Sequence, residues 1–493
     1  MAVACGVATA AGTGLAEADA ASTAPAAGEA GSAGSPVPVV RSLALRDPTQ
    51  PLVAATGWAS DRSAAVAPRD TRPFSMLGVT WSDPEAAIMV GAVRVRARSL
   101  ATGRWSGWLE VETGDEDLAT AESGARGGTS PLWVGPSDGV EVQVDGGRST
   151  LPAGLRLELV DPGRGEQPRA TTSVASTATT KAASGTSATT TAASTVKAPT
   201  LVSRSGWKAD ESIRGAGNPS YGTAVKVVFL HHTAGTNSYA CSESAAIVRG
   251  VYSYHVTGRG WRDIGYNFLV DKCGKIFEGR QGGTTRPVVG AHTLGFNRNS
   301  AGIAVLGTYS SKKVSTATRA AIAHLALWRL RAYGGSPTGK ASLTASSSVG
   351  SKFVKGRSYT FTRLSAHRNA GYTECPGDAL YGQLSGIRTL ATKVSSLAVK
   401  SITGARLSGG VYTAGGAITV SWTVGTPTRL ITRFQVLVDG KVVTTKGPST
   451  RSAKITLRAG RHKVAVRATH LSGATATTAA KTVVRKVSVR KAT

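Results

Sequence analysis

The sequence lacks long apolar stretches. No run of about 18 or more apolar residues occurs among its 493 residues, so we expect no integral membrane segment. Acidic residues are scarce, with 29 Asp and Glu against 58 Lys and Arg, which gives a formal net charge of +29. A chain this basic is expected to bind polyanions such as nucleic acids, anionic lipid surfaces or the phosphate-rich polymers of a bacterial wall.

Motifs for nucleic-acid binding are missing as well. The sequence contains no zinc finger, no aromatic-rich RNA-binding platform and no evident recognition helix. Nucleic acid is therefore disfavoured as the partner of the positive charge, and a solvated basic surface without a specific partner stays an alternative. The length allows about three domains, each able to bury its own core.

The first 200 residues divide by composition. Residues 1–34 are rich in small residues and lack a basic start, which indicates a signal-like or disordered N-terminus. Residues 35–165 contain short stretches of alternating apolar and polar residues, which predict a β-sandwich domain. Residues 166–200 are dominated by Ala, Ser and Thr, which predicts a flexible linker. We therefore expect the next domain to move independently of the first.

Two stretches that lie far apart carry residues suited to metal chemistry. The stretch 227–235 reads as a short buried strand that ends in His231 and His232 next to a glycine. Far downstream, His367 and Cys375 lie eight residues apart. Imidazole and thiolate ligands suit zinc, and three protein ligands with a fourth position left to water form a catalytic arrangement. An isolated pair of histidines is more often structural, so the argument depends on the two stretches together.

Four further short segments accompany these two stretches, which themselves contain three. In chain order, the seven read FLHHTAG (229–235), GWRDIGYNFLV (260–270), IFEGR (276–280), VGAHT (289–293), AGIAV (301–305), AHR (366–368) and TECPG (373–377). Together they resemble the family of peptidoglycan recognition proteins and type 2 N-acetylmuramoyl-L-alanine amidases, over about residues 203 to 396. Each segment alone is weak evidence, whereas seven in the right order are strong evidence.

The resemblance implies a role for individual residues. It implies that His231, His367 and Cys375 bind zinc, and that Tyr266 assists catalysis. Thr373 falls on a position that is lysine in the phage enzymes, which leaves open the group that stabilises the oxyanion. Members of the family that bind peptidoglycan without cutting it have typically lost a zinc ligand. Because all three ligand positions and the tyrosine are present here, we expect an active enzyme.

Further residues are candidates for contact with the substrate. They are His232, His255, Arg280, His292 and Asn297. His255 would either contact substrate or cap the end of a predicted helix over 243–254, and His292 is equally well explained as a structural histidine. The proton shuttle is not identified, because no glutamate stands in an HExxH motif. Tyr266, His292 or an acid that the sequence does not place would have to serve.

The remaining cysteines predict a disulfide. If Cys375 is a metal ligand and Cys5 belongs to a removed leader, Cys241 and Cys273 remain as a pair. In an oxidising compartment we expect them to be bonded, and two separate buried thiols are the alternative.

The alternation of strands and helices over 201–398 predicts an α/β domain with a mixed sheet flanked by helices. Residues 399–493 again alternate, which predicts an immunoglobulin-like or fibronectin type III-like β-sandwich. Residues 401–493 contain 16 Lys and Arg and a single acid, Asp439. We expect this basic domain to hold the chain on anionic cell-wall polymers. The expected fold is therefore multidomain, with a central α/β domain between two all-β sandwich domains.

Two functions of different classes follow from these residues. The first is a secreted, cell-wall-associated zinc enzyme that hydrolyses the amide bond between N-acetylmuramic acid and L-alanine in peptidoglycan. The second is a module that binds peptidoglycan without hydrolysis. The complete set of expected ligands favours the enzyme.

Overall fold

The computed structural model of the protein describes residues 37–45, 63–84, 92–112, 124–146, 151–163, 196–349 and 351–486. The N-terminus predicted to be signal-like, at 1–34, lies outside these residues. The predicted linker at 166–200 also lies outside them, except for its last five residues. No helix within the described ranges is long and apolar enough to cross a membrane.

The N-terminal domain, residues 37–163, is built from strands. They are β1 (Val39–Ala44), β2 (Ser63–Trp81), β3 (Ala92–Ser99), β4 (Leu109–Val111), β5 (Gly127–Gly128), β6 (Leu132–Asp145) and β7 (Arg156–Asp161). They pair antiparallel in the order β1-β7-β2-β6-β3-β4, with β5 beside β2. Alternate residues of β3 are buried, as the sequence pattern predicts. The finer prediction of two packed sheets stays a prediction.

The central domain, residues 196–397, combines strands and helices. Its strands are β8 (Leu201–Val202), β9 (Val227–His232), β10 (Phe268–Val270), β11 (Ile276–Glu278), β12 (Ser300–Val305), β13 (Lys340–Thr344), β14 (Ser358–Thr362) and β15 (Leu364–Ala366). Its helices are α1 (Ser244–Ser253), α2 (Thr316–Arg331) and α3 (Asp378–Leu390), and α1 continues into a π-helical turn at Tyr254–Gly258. Six strands form a mixed sheet in the order β15-β9-β12-β10-β11-β8, and β13 and β14 form a separate hairpin.

The inner strand β9 shows why the sheet forms where it does. All six of its residues are buried, and it pairs in parallel with both β12 and β15. Parallel strands that are covered on both faces read as continuous apolar runs, as the segment before His231 does. Helix α2 begins where the Ser315 side chain accepts a hydrogen bond of 3.1 Å from the Thr318 backbone N–H, and its apolar side chains pack on the sheet.

The C-terminal domain, residues 398–486, is again made of strands. They are β16 (Ala398–Ser408), β17 (Val411–Thr423), β18 (Ile431–Val438), β19 (Lys441–Lys446), β20 (Ser452–Ile455), β21 (Gly460–His470), β22 (Thr475–Thr477) and β23 (Lys481–Arg485). The order is β16-β17-β23-β21-β18-β19, with β20 beside β17 and β22 beside β21. Asp439 and Gly440 both have positive φ in the two-residue turn between β18 and β19, which matches a tight hairpin turn.

The N-terminal domain packs directly against the central domain. Met76, Trp133 and Val160 of the first share one apolar cluster with residues of α1, among them Val248 and Val251. The prediction that the two domains move independently is therefore wrong for the described residues. The composition of a linker predicts its own stiffness but not whether the surfaces of the two domains that it connects pack together.

Polar contacts reinforce this interface between the domains. The Tyr254 hydroxyl donates to the backbone oxygen of Thr129 at 2.9 Å, and the Arg249 guanidinium donates to that of Pro162 at 2.8 Å. Because these groups are buried, their hydrogen bonds must be kept for the domains to stay docked. The C-terminal domain is also docked, since Leu430 is buried in the apolar cluster around α2.

Candidate functional site

Neighbouring parallel strands bring the predicted metal ligands to one edge of the sheet. Strand β9 ends in His231 and His232, and β15 ends immediately before His367. The two strands pair in parallel, with Ala366 opposite Leu230, so the residue after each partner emerges at the same edge. The third predicted ligand, Cys375, lies in the loop that leads into α3.

The three predicted ligands form one compact cluster. The candidate ligand atoms of His231, His367 and Cys375 all lie within 4.8 Å of one another. His231 Nδ1 is 3.8 Å from Cys375 Sγ, and the two imidazole rings have centroids 4.5 Å apart. All three residues are at most 2% exposed. Two histidines and one cysteine, gathered from three separate segments, are therefore held at a separation that suits a single ion.

The donor set fits zinc. His367 Nδ1 is buried and has no hydrogen-bond partner among the described residues, as expected of a nitrogen that faces a metal. The other ring nitrogen of His231, Nε2, lies 3.4 Å from the hydroxyl of Thr293. A ligating histidine commonly uses its second nitrogen in this way, because the hydrogen bond fixes the orientation of the ring. Thr293 was not among the predicted site residues, although it belongs to the VGAHT segment.

Burial keeps the two imidazoles in the form that binds metal. Burial, with a smaller contribution from the neighbouring histidines, lowers the pKa of His231 well below its ordinary value. Burial likewise lowers the pKa of His367 to about 3. Both rings are therefore neutral at ordinary pH, which leaves a lone pair available on each.

Tyr266 lies beside this cluster. Its ring centroid is 5.5 Å from that of His231, and its side chain is buried. It stands in the loop just before β10 rather than in a strand. Thr373 has a local contact, since its hydroxyl accepts a hydrogen bond of 3.1 Å from the Cys375 backbone N–H. Thr373 therefore shapes the loop that carries the cysteine.

His292 also lies next to the cluster. Its ring is 5.3 Å from that of His231, and its Nδ1 is 3.0 Å from the Thr293 hydroxyl. Its Nε2 has no partner among the described residues, and burial lowers its pKa to about 3. Asn297 holds this turn together, because its side-chain oxygen accepts hydrogen bonds of 2.8 Å from the backbone N–H groups of His292 and Thr293. The structure thus gives Asn297 a structural contact within the site.

Two other predicted substrate residues, His255 and Arg280, differ in their surroundings. His255 is buried, accepts a hydrogen bond of 3.2 Å from the Gly265 backbone N–H and stacks on Trp261 at 4.4 Å. Arg280 lines a groove together with Gln281, Val289 and other residues, and its guanidinium lies near the Val289 backbone oxygen. Arg280 is half-buried at this groove, whereas His255 is enclosed.

His232 is fully buried rather than exposed in a groove. Its Nδ1 accepts a hydrogen bond of 3.2 Å from the Tyr309 backbone N–H. Its Nε2 lies 3.0 Å from the carboxylate of Glu112, and its own backbone N–H donates to Cys375 Sγ at 3.4 Å. Through these contacts His232 is hydrogen-bonded to the candidate ligand Cys375 and to its other neighbours, without belonging to the ligand cluster itself.

Glu112 is a residue that the sequence did not place in the site. It follows β4 of the N-terminal domain, about 120 residues before the first ligand, and its side chain is 28% exposed. Burial raises the pKa of its carboxyl, but the hydrogen bond from His232 and nearby positive charges outweigh that effect, so the pKa lies below its ordinary value. No sequence motif surrounds Glu112, and only the packing of the two domains brings it here.

The structure contains the disulfide that the sequence predicted. Cys241 lies in the turn before α1, and Cys273 lies in the turn between β10 and β11. The bond therefore ties the loop after β9 to the hairpin that follows Tyr266.

Two family models match the chain. The model for N-acetylmuramoyl-L-alanine amidase matches residues 221–378, which include the three candidate ligands, Tyr266 and Thr373. The model described as Rv3811 N-terminal galactose-binding domain-like matches residues 29–195. The chain therefore has several domains, a galactose-binding-like one at its N-terminus and an amidase domain after it.

Individual proteins are similar to the central domain. Peptidoglycan-recognition protein SC2 of Drosophila simulans is 30% identical over 188 residues, which are 38% of this chain and 84% of that protein. Peptidoglycan recognition protein 3 of Homo sapiens is 34% identical over 119 residues, which are 24% of this chain and 33% of that protein. Among solved structures, the N-acetylmuramoyl-L-alanine amidase LysC from Clostridium intestinale URNW is 23% identical, with a TM-score of 0.25, over 35% of this chain and 90% of that one.

Proposed function

Because the chain belongs to the family of peptidoglycan recognition proteins and type 2 N-acetylmuramoyl-L-alanine amidases, we propose that it is a zinc-dependent amidase of bacterial peptidoglycan. The bond cleaved would be the amide between N-acetylmuramic acid and L-alanine. The observation that carries the proposal is the buried cluster of His231, His367 and Cys375, whose ligand atoms lie within 4.8 Å of one another. A peptidoglycan-binding module without hydrolysis is the alternative, and it would have no need of a complete ligand set.

The residues of the site suit the demands of amide hydrolysis. An amide resists water because its carbonyl carbon is weakly electrophilic and its amine is a poor leaving group. Zinc held by His231, His367 and Cys375 would lower the pKa of a bound water towards ~7 and polarise the substrate carbonyl. The Tyr266 hydroxyl would donate a hydrogen bond to the oxygen that becomes negative in the transition state. One such donor contributes a factor on the order of 10² to 10³ in rate.

The test is digestion of purified peptidoglycan followed by mass spectrometry of the soluble products. The zinc-loaded protein should release free stem peptides that begin with L-alanine, and release should stop with a chelator and return with added zinc. A Cys375→Ala variant is the matched control, because it should bind peptidoglycan but release nothing. Zinc-loaded protein that binds peptidoglycan without releasing any stem peptide would support the binding module instead.

We also propose that the protein acts outside the cell and is held at the wall by its basic C-terminal domain. The support is the 16 Lys and Arg against one acid over 401–493, which favours anionic wall polymers as partners. Replacing exposed Lys441 and Lys454 by Glu should weaken wall binding, and added salt should weaken it further. The same replacement at exposed Lys340 and Lys355 of the central domain is the control. Equal loss in both pairs, or binding indifferent to salt, would contradict this role.

A further inference from the structure

A side chain of the N-terminal domain contacts a residue beside the candidate ligand cluster. Glu112 directly follows β4, which is the edge strand of its sheet, and its Oε2 lies 3.0 Å from Nε2 of His232 in the central domain. The Glu112 backbone is held in place, since its carbonyl oxygen accepts a hydrogen bond of 3.0 Å from the Ser130 backbone N–H. The carboxylate is thus presented to the central domain from the residue that directly follows β4.

The direction of the hydrogen bonds around His232 follows from its backbone partner. The Tyr309 backbone N–H can only donate, so Nδ1 of His232 accepts and carries no proton. In the neutral ring the proton is then on Nε2, which donates it to the Glu112 carboxylate. Both ring nitrogens are occupied, and the fully buried ring is fixed in tautomer and orientation.

Fixing His232 also fixes the cluster beside it. His232 directly follows the candidate ligand His231, and its backbone N–H donates to Sγ of the candidate ligand Cys375 at 3.4 Å. Loss of a residue that orients metal ligands through hydrogen bonds typically lowers metal affinity or activity by about 10- to 100-fold. The contact from Glu112 is therefore one step removed from the ligands themselves.

The interface between the two domains keeps Glu112 in reach of His232. The apolar cluster formed by Met76, Trp133 and Val160 with helix α1 is buried, and the Tyr254 hydroxyl crosses the interface to the Thr129 backbone oxygen. Such a packed interface resists the relative motion that would separate the carboxylate from the imidazole. The position of Glu112 is thus set by the docked arrangement.

We propose that the N-terminal domain completes the metal site of the central domain, with Glu112 as the positioning residue that orients His232. The inference rests on the proposed function only in that zinc occupies the cluster. It assigns a role in metal binding to a domain that lies outside residues 221–378, the range that the amidase model matches, and makes the docked pair of domains the functional unit.

The test measures zinc affinity of the full-length, metal-free protein by competition with a chromophoric chelator. Glu112→Ala should weaken zinc binding by about 10- to 100-fold. Glu112→Gln should stay within about threefold of the wild type, because the amide oxygen accepts the same hydrogen bond. Glu110→Ala removes an exposed acid of β4, two residues before Glu112, and is the matched control, expected to leave the affinity unchanged. Wild-type affinity in Glu112→Ala, or equal losses in the Ala and Gln variants, would overturn the proposal.

A double-variant cycle tests whether Glu112 acts through His232. His232→Phe keeps a ring of similar shape but removes both nitrogens, so it should weaken zinc binding about as much as Glu112→Ala. Adding Glu112→Ala in that background should change the affinity less than about twofold. A full additional loss there would overturn the proposal. If Glu112→Ala does not fold, the Glu112→Gln variant decides, because a loss of zinc affinity well beyond threefold in that variant would overturn the proposal. Because no substrate is present, tight zinc binding without amidase activity would refute the proposed function and leave this inference standing.

Discussion

A single added methyl group should test the docking of the two domains. Gly78 lies on β2 of the N-terminal domain, facing Tyr254 of the central domain. A Cβ at position 78 would lie 2.6 Å from three atoms of the Tyr254 side chain, which is closer than carbon atoms approach. The ring cannot easily move away, because its hydroxyl is hydrogen-bonded to the Thr129 backbone oxygen in a buried interface. We therefore expect Gly78→Ala to disturb the interface.

The expected change in the free energy of unfolding of Gly78→Ala combines destabilising and stabilising contributions. Overpacking of a buried contact costs about 1–3 kcal/mol, and breaking the Tyr254 hydrogen bond would cost about 1–3 kcal/mol more if the carbonyl is left unsatisfied. Replacing glycine by alanine in a strand gains about 0.5–1 kcal/mol from the reduced freedom of the unfolded chain. The net expectation is a destabilisation of about 1 kcal/mol or more.

The assay is denaturant unfolding of the full-length, metal-free protein, followed by far-UV circular dichroism. Gly107→Ala is the matched control, since nothing lies within 4 Å of a Cβ added there. The unfolding midpoint of Gly78→Ala should lie below that of the wild type and of Gly107→Ala. A Gly78→Ala protein as stable as the Gly107→Ala control would refute the reasoning about this interface.

Three other predictions address the site. Tyr266→Phe should lower the turnover of stem-peptide release by about 10²- to 10³-fold with unchanged zinc content, and retained turnover would remove Tyr266 from the mechanism. Asn297→Ala should destabilise the protein by about 1–3 kcal/mol, because two backbone N–H groups lose their acceptor, whereas Asn297→Asp should recover most of the loss in thermal unfolding. His292 and His367 have pKa values of about 3 when folded and 6.5 ordinarily, so the unfolded metal-free chain binds more protons below pH 6.5. Stability should therefore fall from about pH 6.5 towards pH 3, by up to about 1.4 kcal/mol per pH unit for each histidine. His292→Gln should show a shallower slope of unfolding midpoint against pH, and an identical slope would contradict this assignment.

The ligand cluster was accessible from the sequence because two of its residues stand at strand ends and all three lie in segments that resemble the amidase family. The apolar run before His231 predicts a buried strand, and the short segment before His367 pairs with it in parallel. The roles of the neighbouring histidines were less accessible. His232 was predicted to contact substrate, and His255 either to contact substrate or to cap a helix end; the structure places both side chains in enclosed positions, hydrogen-bonded to backbone groups. A sequence pattern records that a histidine is near a strand end but does not record which way its ring faces.

The sequence by itself determined the order of the domains and the buried strand β9, and it indicated the disulfide pair and, through its resemblance to a family, the three candidate ligands. These features depend on local composition, on the period of apolar residues or on short motifs, all of which are written in neighbouring residues. Only the tertiary structure decided that the N-terminal domain docks on α1 and that Glu112 meets His232. The physical reason is that a contact between domains depends on how two folded surfaces fit together, and residues 120 positions apart carry no shared local pattern from which that fit could be predicted.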